Sequence, residues 1–297
     1  MRLPISGYGV NFRLPNGRDD VAILEANGGN GTGRTTDRGA EAQAATLDRT
    51  VEALSRLAEI TSDTIDLRSG VTATSHVLVS WTQFTITVFE AALLGLRRFL
   101  FGDTVLSVIR CSCGERMEMQ FSISGLLSEI RPRIPRRAKP CASRVNWFEL
   151  KDAHQIHAPT RAHADTVPQV FFRLPTVSDQ VLALRSPNPY VFLKRVCIES
   201  PPSAHRISRS IERSMEAMSP AISRPIEGVC AACAAVLTMQ LHVPSLVLHE
   251  LRASAAGIYR EVNAIAATYH WDESAILAIP QLRRQAYTET IRHAGAR

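Results

Sequence analysis

The stretch "IRCSCGERMEMQFSI", residues 109–123, carries two cysteines one residue apart and then alternates as a strand does. Two thiols do not complete a metal site, so the reading turns on whether the chain holds the other half. "GVCAACAAVL", residues 228–237, supplies it, and Cys230 and Cys233 are natural partners for Cys111 and Cys113. Tetrahedral zinc takes four thiolates at roughly 2.3 Å, which places sulfurs about 3.8 Å apart, a span that a C-x-x-C turn bridges easily. "CSC" fits less well, because residues i and i+2 of a strand lie roughly 6.5 Å apart. The chain must bend sharply there, and Gly114 is the residue that would permit it. Two other readings stand beside this one. One is a degenerate site without metal; the other is a redox role for Cys230 and Cys233, which lacks the surrounding βαβ pattern. Four cysteine ligands leave no open position, so a zinc ion here would be structural.

Working outward, two stretches occur twice. "FRLPNGRDDVAIL" (12–24) matches "FRLPTVSDQVLAL" (172–184), and "CGERMEMQFSISGLL" (113–127) matches "CAAVLTMQLHVPSLV" (233–247), with cysteine on cysteine and Met119-Gln120 on Met239-Gln240. Each FRLP element precedes a cysteine element, as an ancient internal duplication would leave it. The fold expected is α+β, predominantly helical, with two halves meeting at a zinc-ribbon-like centre formed by two cysteine knuckles.

Composition agrees with a globular protein: of 297 residues, 45% are hydrophobic and 21% charged. The net charge of +6 is too modest to imply nucleic-acid binding by itself. Six cysteines are too few for a secreted disulfide scaffold and suit thiolates in a reducing cytosol. No signal-peptide pattern opens the chain. "VLVSWTQFTITVF" (77–89) falls short of the ~20 apolar residues that a spanning helix needs and reads as buried core. A cytoplasmic, soluble protein is expected.

Four segments follow. Residues 1–46 hold the first FRLP element and a Gly-rich stretch, 26–46, read as a disordered or looped insert. Residues 47–127 form a first half with its knuckle: "LDRTVEALSRLAEI" and "FEAALLGLRRFLFG" as helices, the latter stopped by Gly102, then "DTVLSVIR" and "RMEMQFSI" as strands. Residues 128–168 have basic, Pro-rich linker composition. Residues 169–297 form a second half with its knuckle and the C-terminal helices. There one long amphipathic helix is expected to about Thr268, with Leu251, Ile258, Val262 and Ile265 on its apolar stripe. Asp272 would cap the short helix "ESAILAI", and Pro280 would open the last one.

Several motifs imitate chemistry. "GGNGTGRTT" from Gly28 resembles a phosphate loop, but Arg34 stands in the lysine position and no apolar helix follows. "HELRA" (249–253) has Ala253 where a zinc-protease helix needs its second histidine. His154, His157 and His163 read as solvated loop residues. Cys141 lies in the basic linker, and Cys197 reads as a buried helix residue. "RPRIPRRAKP" (131–140) could touch phosphates, but without interleaved aromatics it reads as a solvated loop. Nothing specifies an enzyme.

The tail "REVNAIAATYHWDESAILAIPQLRRQAY" (260–287) resembles the end of the T-even phage baseplate protein family, the baseplate hub assembly chaperones, also found in phage-like contractile injection systems. "LLGLRRFLFGD", "FRLPTVSD", "MEAMSP" and "CAAC" occur in the family's order. The family pattern is C-x-x-C-G at the first knuckle, where this chain has "CSCG", and Cys-Gly at the end of the second, where Ala234 follows Cys233. The resemblance implies a non-enzymatic assembly factor or structural component of a contractile-tail baseplate. It would act in the cytoplasm during assembly, or within the particle, by recognising hub or tail proteins. Tyr269, Trp271, Arg283, Arg284 and Tyr287 are the expected partner-facing residues, and zinc at Cys111, Cys113, Cys230 and Cys233 the expected cofactor. The alternative is a zinc-containing helix-turn-helix DNA-binding protein that uses Arg283 and Arg284.

Overall fold

From the N-terminus, the computed structural model runs β1 (Gly9–Phe12), α1 (Gly17–Glu25), α2 (Thr35–Leu57), β2 (Ala58–Ile65), β3 (Thr72–His76), α3 (Ile86–Phe101), β4 (Thr104–Arg110), β5 (Arg116–Ser122) and α4 (Ile123–Glu129). It continues with β6 (Ala138–Pro140), β7 (Trp147–Leu150), β8 (Phe171–Arg173), α5 (Val177–Leu184), α6 (Pro189–Cys197), β9 (Ile198–Glu199), α7 (Ser208–Met218), β10 (Pro225–Val229), β11 (Val236–Gln240), α8 (Val243–Ala255), α9 (Ile258–Tyr269), α10 (Glu273–Leu277) and α11 (Gln281–Gly295). The described residues are 1, 3, 8–26, 35–65, 72–76, 79–144, 146–151, 170–199 and 208–295. All strand pairs are antiparallel: a sheet β1-β2-β3, a sheet β6-β7-β8-β9, and the two hairpins β4-β5 and β10-β11. The protein is thus mixed helix and sheet, and its sheets are small.

Both FRLP stretches fold by the same local chemistry. β1 ends at Phe12 and β8 at Arg173, a Leu-Pro pair follows in each, and Asn16 and Thr176 then cap α1 and α5 in reciprocal capping boxes with Asp19 and Asp179. The FRLP arginine closes each unit. Arg13 grips Asp19 through two bonds of 2.7 and 2.8 Å, and Arg173 grips Asp179 at 2.6 and 2.9 Å. Burial works against ionisation of Asp179, but the Arg173 fork and the Thr176 cap hold its carboxyl below the usual range. The order of elements then repeats. β1-α1-α2-β2 and β8-α5-α6-β9 are each a strand, two helices and a returning antiparallel strand, with Phe12 opposite Ala58 and Phe172 opposite Ile198. Each is then followed by a helix (α3, α7), a hairpin and a further helix (α4, α8), except that β3 stands between β2 and α3 in the first series and has no counterpart between β9 and α7 among the described residues.

One core spans both series. It joins Leu54, Phe89, Leu93 and Leu96 of the first to Val177, Val181, Val243 and Val247 of the second. A smaller one lies between the four-stranded sheet and α7, around Phe172, Ile211 and Met218. The centre of the main core is α3, buried at every position from Thr87 to Arg97. Gly95 is closely covered there: a Cβ would press on the Met1 thioether and stand 3.1 Å from the Phe12 ring. Gly102 ends the helix at φ +88, a conformation other residues rarely adopt. The segment 79–89 joins the core through Trp81, Phe84, Val88 and Phe89, as expected; residues 77 and 78 lie outside the described set. Among the described residues, no helix is long and apolar enough to cross a membrane.

Three sequence expectations need correction. Residues 35–46 are not looped but form the first half of α2, where Ala44 reaches the core. Alanine-rich sequence is a strong helix former even with few large apolar residues. The segment 128–168 is not all linker, because β6 and β7 extend the sheet of β8 and β9. The long C-terminal helix is two: α8 ends at Ala255 and α9 starts after Gly257, so Leu251 lies on a different helix from Ile258, Val262 and Ile265. Glycine is a poor helix former, and the break lets α9 turn back against α11.

That turn is locked by Arg284. Its side chain is 1% exposed and pairs with Asp20 of α1 and, at 2.9 Å, with Glu261 of α9, while Nη1 donates to the Ile279 carbonyl at 2.6 Å. Burial raises the Asp20 pKa against the pull of Arg284. Breaking a buried pair strands its partners. Arg284→Met is therefore expected to cost about 3–5 kcal/mol in urea denaturation, and the exposed neighbour change Arg283→Met no more than about 0.5 kcal/mol.

Candidate metal centre

Each hairpin brings one knuckle to the same place. β4 ends at Arg110 and β5 begins at Arg116, so residues 111–115 make the first turn; residues 230–235 make the second. The Cys111 amide donates to the Glu115 carbonyl and the Cys230 amide to that of Ala235, both at 2.9 Å, so the two turns close alike. The missing residue in "CSC" is absorbed inside. Gly114 N–H reaches back three residues to the Cys111 carbonyl at 3.0 Å, whereas Ala234 N–H reaches back four to that of Cys230 at 2.8 Å. The residue after the second cysteine is left-handed in both, Gly114 at φ +95 and Ala234 at φ +58. The bend expected at Gly114 is present.

The four sulfurs lie within 4.8 Å of one another. Across the knuckles, Cys111 Sγ is 3.6 Å from Cys233 Sγ and Cys113 Sγ is 3.8 Å from Cys230 Sγ. These spans match the ~3.8 Å edge of a tetrathiolate tetrahedron. Cys111 and Cys230 are buried with Leu237 against Met117 and Ala235, while Cys113 and Cys233 face outward. The hairpins also meet along their length, since Met119 packs on Gly228, where a Cβ would stand 3.2 Å from its methyl.

Crowding four thiols splits their acidities. The Cys113 backbone N–H, aided by hydrogen bonds from the neighbouring thiols, draws the Cys111 thiol down to about 6. Backbone N–H groups of Glu115 and Ala235 favour the thiolates of Cys113 and Cys233. The adjoining sulfurs outweigh them, raising Cys113 and pushing Cys233 up to about 12. One negative sulfur opposes the next, and a cation among them removes that opposition. The four cysteines can hold a metal ion.

The hairpins are aimed by α3. Arg97 Nη1 donates to the carbonyls of Gly102 and Thr104, both at 2.7 Å, at the root of β4, and its other nitrogens hold Glu250 of α8 at 2.8 and 3.0 Å. One face-repeat earlier, Glu90 accepts from Ser223 N–H at 3.0 Å and Ser223 Oγ at 2.6 Å, just before β10. Burial raises the Glu90 pKa against these bonds. Sequence reading missed both residues. Their signal was a pair of ionisable residues seven apart, hence on one face, at Glu90 and Arg97 of a run, 87–97, whose other residues are apolar or small apart from Thr87.

The other expected site residues are dispersed. Tyr269, Trp271 and Tyr287 form one aromatic cluster with ring centroids 5.3–5.7 Å apart, and Arg283 lies 5.8 Å over the Tyr287 ring. Arg284 does not join them, being buried in its ion pairs. Cys141, beside Ser143, and Cys197, whose thiol burial pushes up to about 11, do not belong to the four-cysteine group. His154, His157, His163 and the stretch Gly28–Arg34 lie outside the described residues. Comparison with protein-family models, curated proteins and solved structures returns no match.

Ala234 is in a conformation that costs a non-glycine residue roughly 1–2 kcal/mol. Ala234→Gly is expected to raise stability by about 1 kcal/mol in urea denaturation, offset in part by unfolded-chain entropy. Gly114→Ala should lose a similar amount through backbone conformation alone, since a Cβ there meets no atom within 4 Å.

Proposed function

We propose that this chain is a non-enzymatic assembly factor or structural component of a contractile-tail baseplate, held in shape by one structural zinc ion. The observation that carries the reading is the convergence of Cys111, Cys113, Cys230 and Cys233 within 4.8 Å, at the two knuckles that the resemblance to the baseplate family marks as corresponding. Four soft sulfur ligands in tetrahedral reach favour zinc. They fill its coordination sphere, so the ion would fix the two hairpins and do no chemistry. Internal duplication is part of the same reading, supported by the repeated element order and the matching Arg13–Asp19 and Arg173–Asp179 units.

Function would then rest on surface recognition. Tyr269, Trp271, Tyr287 and Arg283 form an aromatic and basic face for a hub or tail protein, with Trp271 39% exposed. The burial of Arg284 takes one of two arginines from the DNA-binding alternative.

Two measurements test the proposal. Metal analysis of the purified chain should give one zinc per molecule, and Cys230→Ser should lower zinc content and Tm together; unchanged Tm after zinc loss would refute the structural role. Affinity capture from the native cell, read by mass spectrometry, should retain baseplate, tube or hub proteins, and Trp271→Ala should reduce their yield several-fold. Retention of DNA and none of these proteins would overturn the assembly reading.

A further inference from the structure

The segment 131–137 is pinned on both sides. Arg133 N–H donates to the Ala217 carbonyl of α7 at 2.9 Å, and Lys151 N–H donates to the Arg137 carbonyl at 2.7 Å, at the end of β7. Between this segment and α7 lies a concavity of about 570 Å³. Arg133, Arg136 and Arg137 line one wall and Arg213 the other; Ile134, Pro135 and Ala217 supply apolar surface. All four arginines are exposed, and none has a carboxylate partner among the described residues. On the same helix, Glu212 is engaged by the Tyr190 hydroxyl at 2.5 Å, and Glu216 is exposed one turn beyond Arg213. Arg131 and Lys139, also exposed, extend the positive charge at either end of the segment.

We propose that this concavity binds an acidic segment of a partner protein, with carboxylates on the arginines and an apolar side chain against Ile134. Guanidinium groups present a planar fork that takes carboxylates two bonds at a time. Four of them around one concavity repel one another until an anion enters, and the pinned backbone that carries three of them lowers the ordering cost of binding. The lining selects peptide over nucleic acid. Ile134 is 54% exposed within it, and no aromatic ring is among the lining residues to stack a base. This surface uses neither the metal centre nor the aromatic cluster, so the inference stands apart from the baseplate reading.

The test is selection of a random 12-residue peptide library, displayed on phage, against the full chain. Peptides with Asp or Glu flanking an apolar residue should be enriched. The synthetic form of the strongest should bind with a Kd that rises at least tenfold in Arg136→Glu/Arg137→Glu and, independently, in Arg213→Glu, each checked for an unchanged Tm. Arg213 lies on a different element, so that variant keeps the test open if the double variant fails to fold. Failure to enrich acidic sequences, or a Kd unchanged in Arg213→Glu, would overturn the proposal. So would a labelled single-stranded 20-nucleotide DNA that binds more tightly than the peptide and loses binding in the same variants.

Discussion

The arrangement depends on α3 more than on any other element, and within α3 on two ionisable side chains buried in apolar surroundings. Arg97 holds the root of the first hairpin and, through Glu250, the helix that follows the second. Glu90 holds Ser223 at the root of the second hairpin, and Ser223 Oγ in turn accepts the Val243 N–H that opens α8. Buried charges contribute little net stability unless all their bonds are satisfied. Here they are satisfied by groups that must be in one place for the cysteines to meet. The sulfurs converge because two hairpins are clamped to one helix, seven residues apart.

The cysteine cluster was legible because its signal is chemical: thiol pairs at short spacing have few alternative uses. The FRLP repeats were legible for a similar reason, since Arg, Pro, a capping residue and Asp at fixed offsets specify a strand end and a helix start. The strand and helix assignments around the first knuckle hold, and so does the stop at Gly102. Less legible were elements whose signal is packing. Residues 35–46 have almost no large apolar side chain, and α2 is helical there through alanine content, with Ala44 buried in the core. β6 and β7 are short strands whose pairing partners lie at a distance along the chain. Arg284 illustrates a different failure: a surface-type residue on a polar helix, whose burial depends on Asp20, 264 residues away in sequence.

The knuckles show how one turn tolerates a change of length. Both close with a cysteine amide on a carbonyl and a left-handed residue, and the shorter tightens its inner hydrogen bond by one residue. The ladder beyond each turn keeps its register, with Arg110 opposite Arg116 and Val229 opposite Val236. A departure that looks damaging in a motif therefore costs little in position, because backbone conformation, not residue count, sets where the sulfurs point. Ala234 is the more demanding departure, since it keeps the geometry against its own side chain.

The facing sulfurs are separated by 117 and 122 residues of chain. During synthesis at about 5–20 residues per second, the first knuckle emerges on the order of ten seconds before the second. Over that interval it offers an ion only two sulfurs, and a tetrathiolate exists only once the second hairpin has been made and docked. On the proposed zinc reading, metal uptake would mark the docking of the second hairpin on the first: a molecule cut short before Cys230, or one whose hairpins have not met, would remain unloaded, and occupancy itself would distinguish copies with both knuckles in place from those without.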